Sequence, residues 1–339
     1  MSPELVPSTA AEAERERPPV VTLLIVIVNY RCAEMTVACL RSLADELEAI
    51  DARVIVVDNA SGDDSVEHIG RGIETWGRGR VELLEAERNG GFAYGNNLGI
   101  RRARERGPTP DLVLLLNPDS EVRPGAVRAL LDFMADRPEV GVAGSRLEDP
   151  DGSPQHSRFR FSDLGGEFVT ASRFGLLGRL LPGRDYTPPL SDQAHEIDWV
   201  SGAAMIVRGR VFDSVGLMDE RYFLYYEEQD FQLVVRRAGW SIWYVPESRV
   251  VHHVSGSTKN FPRQGRPARR PRYWFESRSR FFVKHHGRLY LWATNTAWIA
   301  AHLFARLRRA VLRRPNDDPP HLLGDFLRYG FRSPPAPRS

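Results

Sequence analysis

Asp111-Leu-Val-Leu-Leu-Leu-Asn117-Pro118-Asp119-Ser120-Glu121-Val122 is the stretch from which the architecture of the chain can be inferred. The aliphatic run Leu112 to Leu116 predicts a strand buried on both faces, and the polar Asn-Pro-Asp lies where that strand runs out. In open α/β sheets ligands bind outside the carboxyl ends of the strands, so Asp119 is delivered to a position suited to an ion or a phosphate. A plain turn is the competing reading, because Asn, Pro, Asp and Ser all favour turns.

The same arrangement recurs on the N-terminal side. Val20-Val-Thr-Leu-Leu-Ile-Val-Ile-Val-Asn29-Tyr30 is a second buried strand with a polar end, and a helical pattern runs from Met35 to Ile50. Arg53-Val-Ile-Val-Val-Asp58 ends in an acid and a Ser61-Gly62-Asp63-Asp64 turn able to cap the next helix. Val81-Glu-Leu-Leu-Glu85 is a weaker strand, leading through Asn89-Gly90-Gly91 into a helix that reaches about Arg106. After Val122 a helix is expected from Pro124 to Asp136. Repeated strand-helix alternation calls for a mostly parallel sheet with right-handed crossovers. The ends Asn29-Tyr30, Asp58 and Asn117-Pro118-Asp119 then share one sheet edge and form one site.

The turns after the strands exclude some alternatives. Asn29-Tyr30-Arg31-Cys32-Ala33-Glu34 replaces the Gly-x-Gly-x-x-Gly that a nicotinamide-binding first turn requires, and no phosphate-binding Gly-x-x-x-x-Gly-Lys-Ser/Thr occurs. The 339 residues, 42% hydrophobic and 27% charged, can bury a substantial core. The net charge of +2 implies no general pull toward nucleic acid. Cys32 and Cys39 are spaced two turns apart on a predicted helix, too far for a disulfide. Residues 1–19 lack periodicity and are read as a disordered tail. With no apolar run before Val20 to act as a signal peptide, the chain is expected in the reducing cytoplasm.

Downstream, Val140 to Arg146 is a further strand, and residues 149–194 form a Gly/Pro/Arg-rich stretch too long for a silent connector. Regular signal returns at Ile197 to Val207. An aromatic and acidic cluster, Asp219 to Phe231, then enters a helix ending near Gly239. Trp240 to Val245 and Arg249 to His253 are read as two short strands.

Taken in order, Ile27-Val-Asn-Tyr30, Val57-Asp-Asn-Ala-Ser-Gly-Asp63, Asn89-Gly-Gly-Phe-Ala-Tyr-Gly-Asn-Asn97, Asn117-Pro-Asp119, Ser201-Gly-Ala-Ala204, Phe223-Leu-Tyr-Tyr-Glu-Glu228 and His252-His253 resemble glycosyltransferase family 2. The resemblance is to the inverting, GT-A-fold enzymes of the rhamnosyltransferase-like branch and covers residues 20–260. It implies an α/β fold of Rossmann-like type, with a mixed, mostly parallel sheet and helices on both faces. Residues 20–136 would be the nucleotide-sugar half, residues 137–260 the acceptor and catalytic half, and residues 261–339 a C-terminal helical extension.

The resemblance also implies roles. Asn29 and Tyr30 would lie at the nucleotide. Asp58 would accept a hydrogen bond from a pyrimidine imide N–H, although a carboxylate there could equally cap the next helix. Asn89, Gly90 and Gly91 would let backbone approach the nucleotide sugar, or would simply form a tight turn. Asn117 and Asp119 would serve the diphosphate, Asp119 through Mg²⁺ or Mn²⁺. The family pattern is often Asp-x-Asp, so Asn117 leaves one carboxylate fewer. His252 would add a metal ligand, with His253 as its competitor and a surface role as the bland reading.

Inversion needs a carboxylate to take the acceptor proton, and the matching position holds Glu228 where the family usually has Asp. Glu227 and Asp230 are substitutes, or all three acids merely complement a helix N-terminus. Trp199 and Gly202 would shape the acceptor side, with a core tryptophan as the alternative. The expected substrates are a nucleotide sugar, dTDP-rhamnose foremost, and a glycan or polyprenyl-diphosphate-linked acceptor. No nucleic acid partner is expected. A processive synthase would carry Gln-x-x-Arg-Trp, which is missing; a nucleotide-sugar-binding protein without turnover is the rival from another class.

The arginine- and aromatic-rich residues 262–280, with a helix from Leu289 to Ala305, suggest peripheral contact with the inner face of the cell membrane. Seventeen residues span only about 26 Å, short of the roughly 30 Å hydrocarbon core, so this helix would lie in the interface. The alternative is packing on its own domain or on a second subunit of a homodimer.

Overall fold

The computed structural model describes residues 22–76, 79–175, 183–184, 186–253 and 268–332. The expected tail over residues 1–19, the boundary at residue 260, and Arg263 and Arg266 lie outside them. The first half alternates as anticipated: β1 (Leu23–Asn29), α1 (Ala33–Ala49), β2 (Ala52–Asp58), α2 (Ser65–Trp76), β3 (Val81–Glu85), α3 (Gly91–Glu105) and β4 (Leu112–Leu116). Then come β5 (Ser120–Val122), α4 (Ala126–Ala135), β6 (Val140–Glu148), β7 (Arg158–Phe159), α5 (Leu164–Ser172), β8 (His195–Glu196), β9 (Trp199–Val200) and β10 (Ala204–Arg208). The rest is α6 (Gly209–Val215), α7 (Glu227–Arg237), β11 (Ser241–His252), α8 (Arg272–His286), α9 (Arg288–Val311) and α10 (Leu322–Tyr329).

The main sheet runs β3-β2-β1-β4-β10-β6-β11-β5, with β8 on β11. β10 and β5 run antiparallel to their neighbours, while β3, β2, β1 and β4 are mutually parallel. Alternation along β1 explains the layering. Leu23, Ile25 and Ile27 face a core filled by Cys39, Leu40 and Leu43 of α1 and by Leu130 and Met134 of α4. Leu24 and Val26 face Ile100 of α3, Phe212 of α6 and Phe231 of α7. Because both faces are covered, the strands read as continuous apolar runs. Cys32 and Cys39 are buried free thiols.

Three expectations need correction. Asp111–Val122 is two strands: the chain leaves the sheet at Asn117-Pro118, and β5 rejoins it at the far edge against β11. The two strands expected over Trp240–Val245 and Arg249–His253 are one, Ser241–His252, because the register against β6 shifts between Val245 and Arg249 and this bulge absorbs Pro246, which has no N–H to give the ladder. The helix expected over Leu289–Ala305 is the longer α9, of 24 residues.

Thr294, Asn295, Trp298, Ala301, His302 and Ala305 line one buried face of α9, at the spacing of successive turns. That face packs with α5, α8 and α10; the Trp298 and Phe326 rings stack at 3.9 Å. Arg278 of α8, fully buried, locks the group by binding Glu167 of α5 at 2.9 Å and Asn295 of α9 at 2.5 Å. Packing on the chain's own domain is therefore realised for this face. The opposite face leaves Leu289, Leu303, Phe304, Leu307 and Val311 exposed.

Candidate active site

The register pairs Asn29 with Asp58 at the ends of β1 and β2, and Ile27 with Leu116, so the three polar strand ends do meet on one edge. Asn29 is fully buried and its amide is used internally. It donates to Asp58 Oδ1 (2.7 Å) and Ser61 Oγ (3.1 Å) and accepts from Thr36 Oγ1 (2.9 Å). Asp58 also accepts from Ser61 N and Oγ. Asn29 is thus a strut that orients Asp58. Ahead of α2, Asp63 Oδ1 accepts from Ser65 N (3.0 Å), while the Asp58 carboxylate is taken up by Asn29 and Ser61. Tyr30 is half-buried, with the Arg31 guanidinium over its ring.

A second amide braces the glycine turn. Asn59 donates to Asn89 Oδ1 (3.1 Å) and to the Gly91 carbonyl (3.0 Å), and accepts from Gly90 N (3.3 Å). Gly91 has φ +85°, and a Cβ there would lie 1.7 Å from the Phe223 carbonyl oxygen, so only glycine fits. The contact ties the turn to the aromatic and acidic segment, where Phe223 O accepts from Phe92 N.

Asp119 is 3% exposed, and its Oδ1 lies 3.5 Å from His252 Nε2. The other ring nitrogen of His252 is 3.3 Å from Gln155 Oε1, while His253 turns its ring to Glu121 at 2.7 Å. Of the two histidines, His252 shares Asp119's position. A carboxylate oxygen and an imidazole nitrogen converging in this way are suited to part of a divalent cation's shell, leaving coordination positions for phosphate oxygens and water. Among the described residues no three His, Cys, Asp or Glu side chains cluster as a metal site.

One short segment joins this end to the acids of α7. The Ala203 carbonyl accepts from Asn117 N (2.9 Å) and Ser120 Oγ (3.3 Å), while the neighbouring Gly202 N donates to Glu228 Oε1 at 3.4 Å. A Cβ on Gly202 would sit 2.9 Å from Glu228 Cγ, so glycine makes room for that carboxyl. Tyr225 and Tyr226 both have φ +69°, a left-handed pair that costs about 1–3 kcal/mol per residue and turns the start of α7. Gln232 then bonds both N and O of Val200, fastening α7 to β9.

Glu228 opens on a cavity of about 530 Å³ walled by Trp199, Tyr186, Phe159 and Tyr225 and reaching Trp298 and His302 of α9. Trp199 stacks on Phe159 at 4.5 Å and donates from its indole to Arg160 O. Burial pushes the Glu228 carboxyl above its ordinary pKa, with the Gly202 N–H in part opposing that.

Residues 24–185 match the model of Glycosyl transferase family 2. The chain carries a glycosyl transferase family 2 domain. An N-acetylglucosaminyl-diphospho-decaprenol L-rhamnosyltransferase of Mycobacterium tuberculosis is 32% identical over 193 residues, covering 54% of this chain and 62% of that protein. The dTDP-rhamnosyl transferase RfbF of Shigella flexneri is 26% identical over 215 residues, 63% of this chain and 64% of that one. The chain thus spans less than two thirds of the length of either relative. Among solved structures, the mannosyltransferase PcManGT from Pyrobaculum calidifontis, in complex with GDP-Man and Mn²⁺, superposes with a TM-score of 0.53 at 15% identity, over 89% of this chain and 80% of that one. The fold is the mixed α/β GT-A architecture with a C-terminal helical region.

Within the family 2 domain and its continuation, the structure gathers Asp58, Asn89, Gly90, Gly91, Asn117, Asp119, His252, Gly202, Trp199 and Glu228 around connected strand ends and the cavity. Asp230 does not join them. Its carboxyl accepts from Lys284 Nζ (2.6 Å) and Tyr222 Oη (3.0 Å) and lies 2.6 Å from His285 Nε2, so it anchors α7 to α8. Sequence reasoning also missed Asn59, Ser61 and Gln232; the Asp58-Asn59 pair at a strand end was the available signal for the first.

Glu227 is 2% exposed, and its Oε2 meets no hydrogen-bond partner among the described residues. Burial, then the charge of Glu228, hold its carboxyl well above the ordinary range. A raised folded-state pKa stabilises the fold below the unfolded value, about 4.3, and that contribution is lost as pH rises through the folded value. Glu227→Gln does not titrate there. Its melting temperature is expected to match wild type near pH 4 and to exceed it by about 2–4 °C at pH 8; thermal melts across that range check it, and a destabilised variant at pH 8 contradicts it.

Proposed function

We propose that this chain is an inverting, cation-dependent glycosyltransferase that transfers L-rhamnose from dTDP-rhamnose to a glycan or polyprenyl-diphosphate-linked acceptor in cell-envelope polysaccharide synthesis. The observation that carries the reading is Glu228, a carboxyl with raised proton affinity that opens on an aromatic cavity and is joined through Gly202-Ala203 to Asn117-Pro118-Asp119. The donor assignment is supported by the two rhamnosyltransferase relatives.

In this reading Asp58 meets the base, and Asn89, Gly90 and Gly91 bring backbone to the nucleotide sugar. Asp119 and His252 would hold Mg²⁺ or Mn²⁺, which would supply positive charge to offset that developing on the diphosphate. Glu228 takes the acceptor hydroxyl proton while the acceptor oxygen bonds to the anomeric carbon. The bond from that carbon to the diphosphate oxygen breaks, and the nucleoside diphosphate leaves with the electron pair. Trp199 offers an apolar surface for a sugar ring. Residues 20–136 serve the donor and residues 137–260 the acceptor.

Screening the protein against nucleotide sugars, with and without Mn²⁺, tests the reading. Cation-dependent release of nucleoside diphosphate supports it; binding without release from any donor favours the non-catalytic rival.

No helix among the described residues is long and apolar enough to cross a membrane. The exposed Leu303, Phe304, Leu307 and Val311 on α9, flanked by Arg306, Arg313 and Arg314, suit the surface of an anionic bilayer. Co-sedimentation with phosphatidylglycerol vesicles, reduced by Leu307→Asp with Val311→Asp, is the expected result; equal pelleting of variant and wild type counts against membrane contact.

A further inference from the structure

The cavity that Glu228 opens on extends well beyond the space one attacking hydroxyl requires, and its far wall comes from the C-terminal region: Arg270, Trp274, Trp298 and His302. Three arginines line it, and two are neutralised. Arg173 pairs with Asp317 and Asp318, and Arg184 with Asp163. The cavity carboxyl Glu167 is matched by Arg278, and His302 lies 3.6 Å from Asp318.

Arg270 differs. It is half-buried, its guanidinium lies 4.3 Å from the centre of the Trp274 ring, and it meets neither a carboxylate at ion-pair distance nor a hydrogen-bond acceptor among the described residues. A guanidinium partly removed from water, with a fork of N–H donors left unused, is costly unless an anion arrives to fill it. Its planar geometry matches phosphate oxygens in pairs.

Tyr225 and Tyr226 connect this cation to the acid. Tyr226 packs edge-on against Trp274, and Tyr225 lines the cavity together with Arg270 and Glu228. A sugar lying against this aromatic wall can present a hydroxyl to Glu228 while its anionic substituent meets Arg270. Beyond it, α9 walls the cavity with Trp298 and His302 and exposes Leu303, Phe304 and Leu307 on its other side.

We propose that Arg270 is the acceptor-recognition residue of this cavity and takes the phosphoryl or diphosphoryl group carried by the acceptor sugar. The proposal rests on the transferase reading and assigns a binding role within it. It gives the C-terminal helices packed onto the cavity a role: they bring Arg270, whereas Arg173 and Arg184, the other lining arginines among the described residues, are already paired with carboxylates.

The test uses the full chain with three probes: an alkyl-diphosphate-linked N-acetylglucosamine, N-acetylglucosamine 1-phosphate, and neutral octyl N-acetylglucosaminide. Arg270→Gln is expected to weaken binding of the anionic probes about 10- to 100-fold, measured with the donor site filled by nucleoside diphosphate and Mn²⁺, and to lower the anionic-over-neutral ratio of kcat/KM to match. Arg270→Lys should restore part of that ratio, which a merely structural loss would not do. A preference for the alkyl diphosphate assigns the lipid-linked source, and equal use of the 1-phosphate assigns a soluble one. Unchanged affinity for both anionic probes in Arg270→Gln overturns the proposal. Because affinity is measured without turnover, that result is distinct from the failure of every donor to release nucleoside diphosphate, which overturns the transferase reading instead.

Discussion

Glu228→Gln is expected to lower kcat by about 10²- to 10⁴-fold while leaving donor binding within a few-fold, because the amide keeps the shape of the side chain and removes its capacity to accept a proton. The geometry supports a large effect. The carboxyl stands on the wall of the cavity beside Gly202, whereas the neighbouring acids are committed elsewhere, Asp230 to Lys284 and Tyr222, and Glu227 to the buried side of α7. Neither of those acids is positioned to replace it.

As the proposed base, the same carboxyl is expected to set the pH profile. A base must be ionised to act, and burial holds the proton on Glu228, so kcat/KM is expected to fall about tenfold per pH unit on an acid limb that begins above the ordinary glutamate value of about 4.3. Steady-state rates of nucleoside diphosphate release, with and without acceptor, would measure both effects. A Glu228→Gln enzyme retaining wild-type turnover would remove this residue from the chemistry.

Asp119→Asn should be nearly as damaging, for a different reason. The substitution keeps the volume and leaves the Asp119 backbone carbonyl bonded to His253 N, so the local fold should persist. What is lost is the negative charge beside His252, and with it the affinity that the proposed function would need there for a hard divalent cation. Turnover at sub-millimolar Mn²⁺ is expected to drop about 10²- to 10³-fold, in line with several kcal/mol of charge stabilisation, with partial recovery at much higher Mn²⁺. Titration of activity against Mn²⁺, alongside Mn²⁺ binding in the presence of nucleoside diphosphate, reads this directly. An unchanged Mn²⁺ response in Asp119→Asn would place the cation elsewhere.

Much of the fold is legible in the chain because its signals are local. Leu112 to Leu116 is apolar on both faces and so must sit inside a covered sheet. Asn29, Asp58 and Asn117-Pro118-Asp119 end such runs and so must share the carboxyl edge of parallel strands. Local pattern misleads where distant partners override it. Ser120 to Val122 continues the preceding strand by composition, yet pairs with β11, more than a hundred residues later. Asp230 carries the same charge and helix position as its neighbours; Lys284 and His285, over fifty residues away, turn it from a candidate base into an anchor.

Asn29 makes the same point at the nucleotide end. A polar residue at a strand terminus suggests ligand contact, but Ser61 and Thr36 close around it and leave it to orient Asp58. The alternating sheet, the shared edge and the acids available to it could be read from the chain alone, because strand burial and turn chemistry are properties of adjacent residues. Three things waited for the three-dimensional arrangement: which acid opens on the cavity, which histidine sits with Asp119, and that Arg270 faces the cavity with no carboxylate partner among the described residues. Those depend on packing between segments whose separation along the chain carries no information about their distance in space.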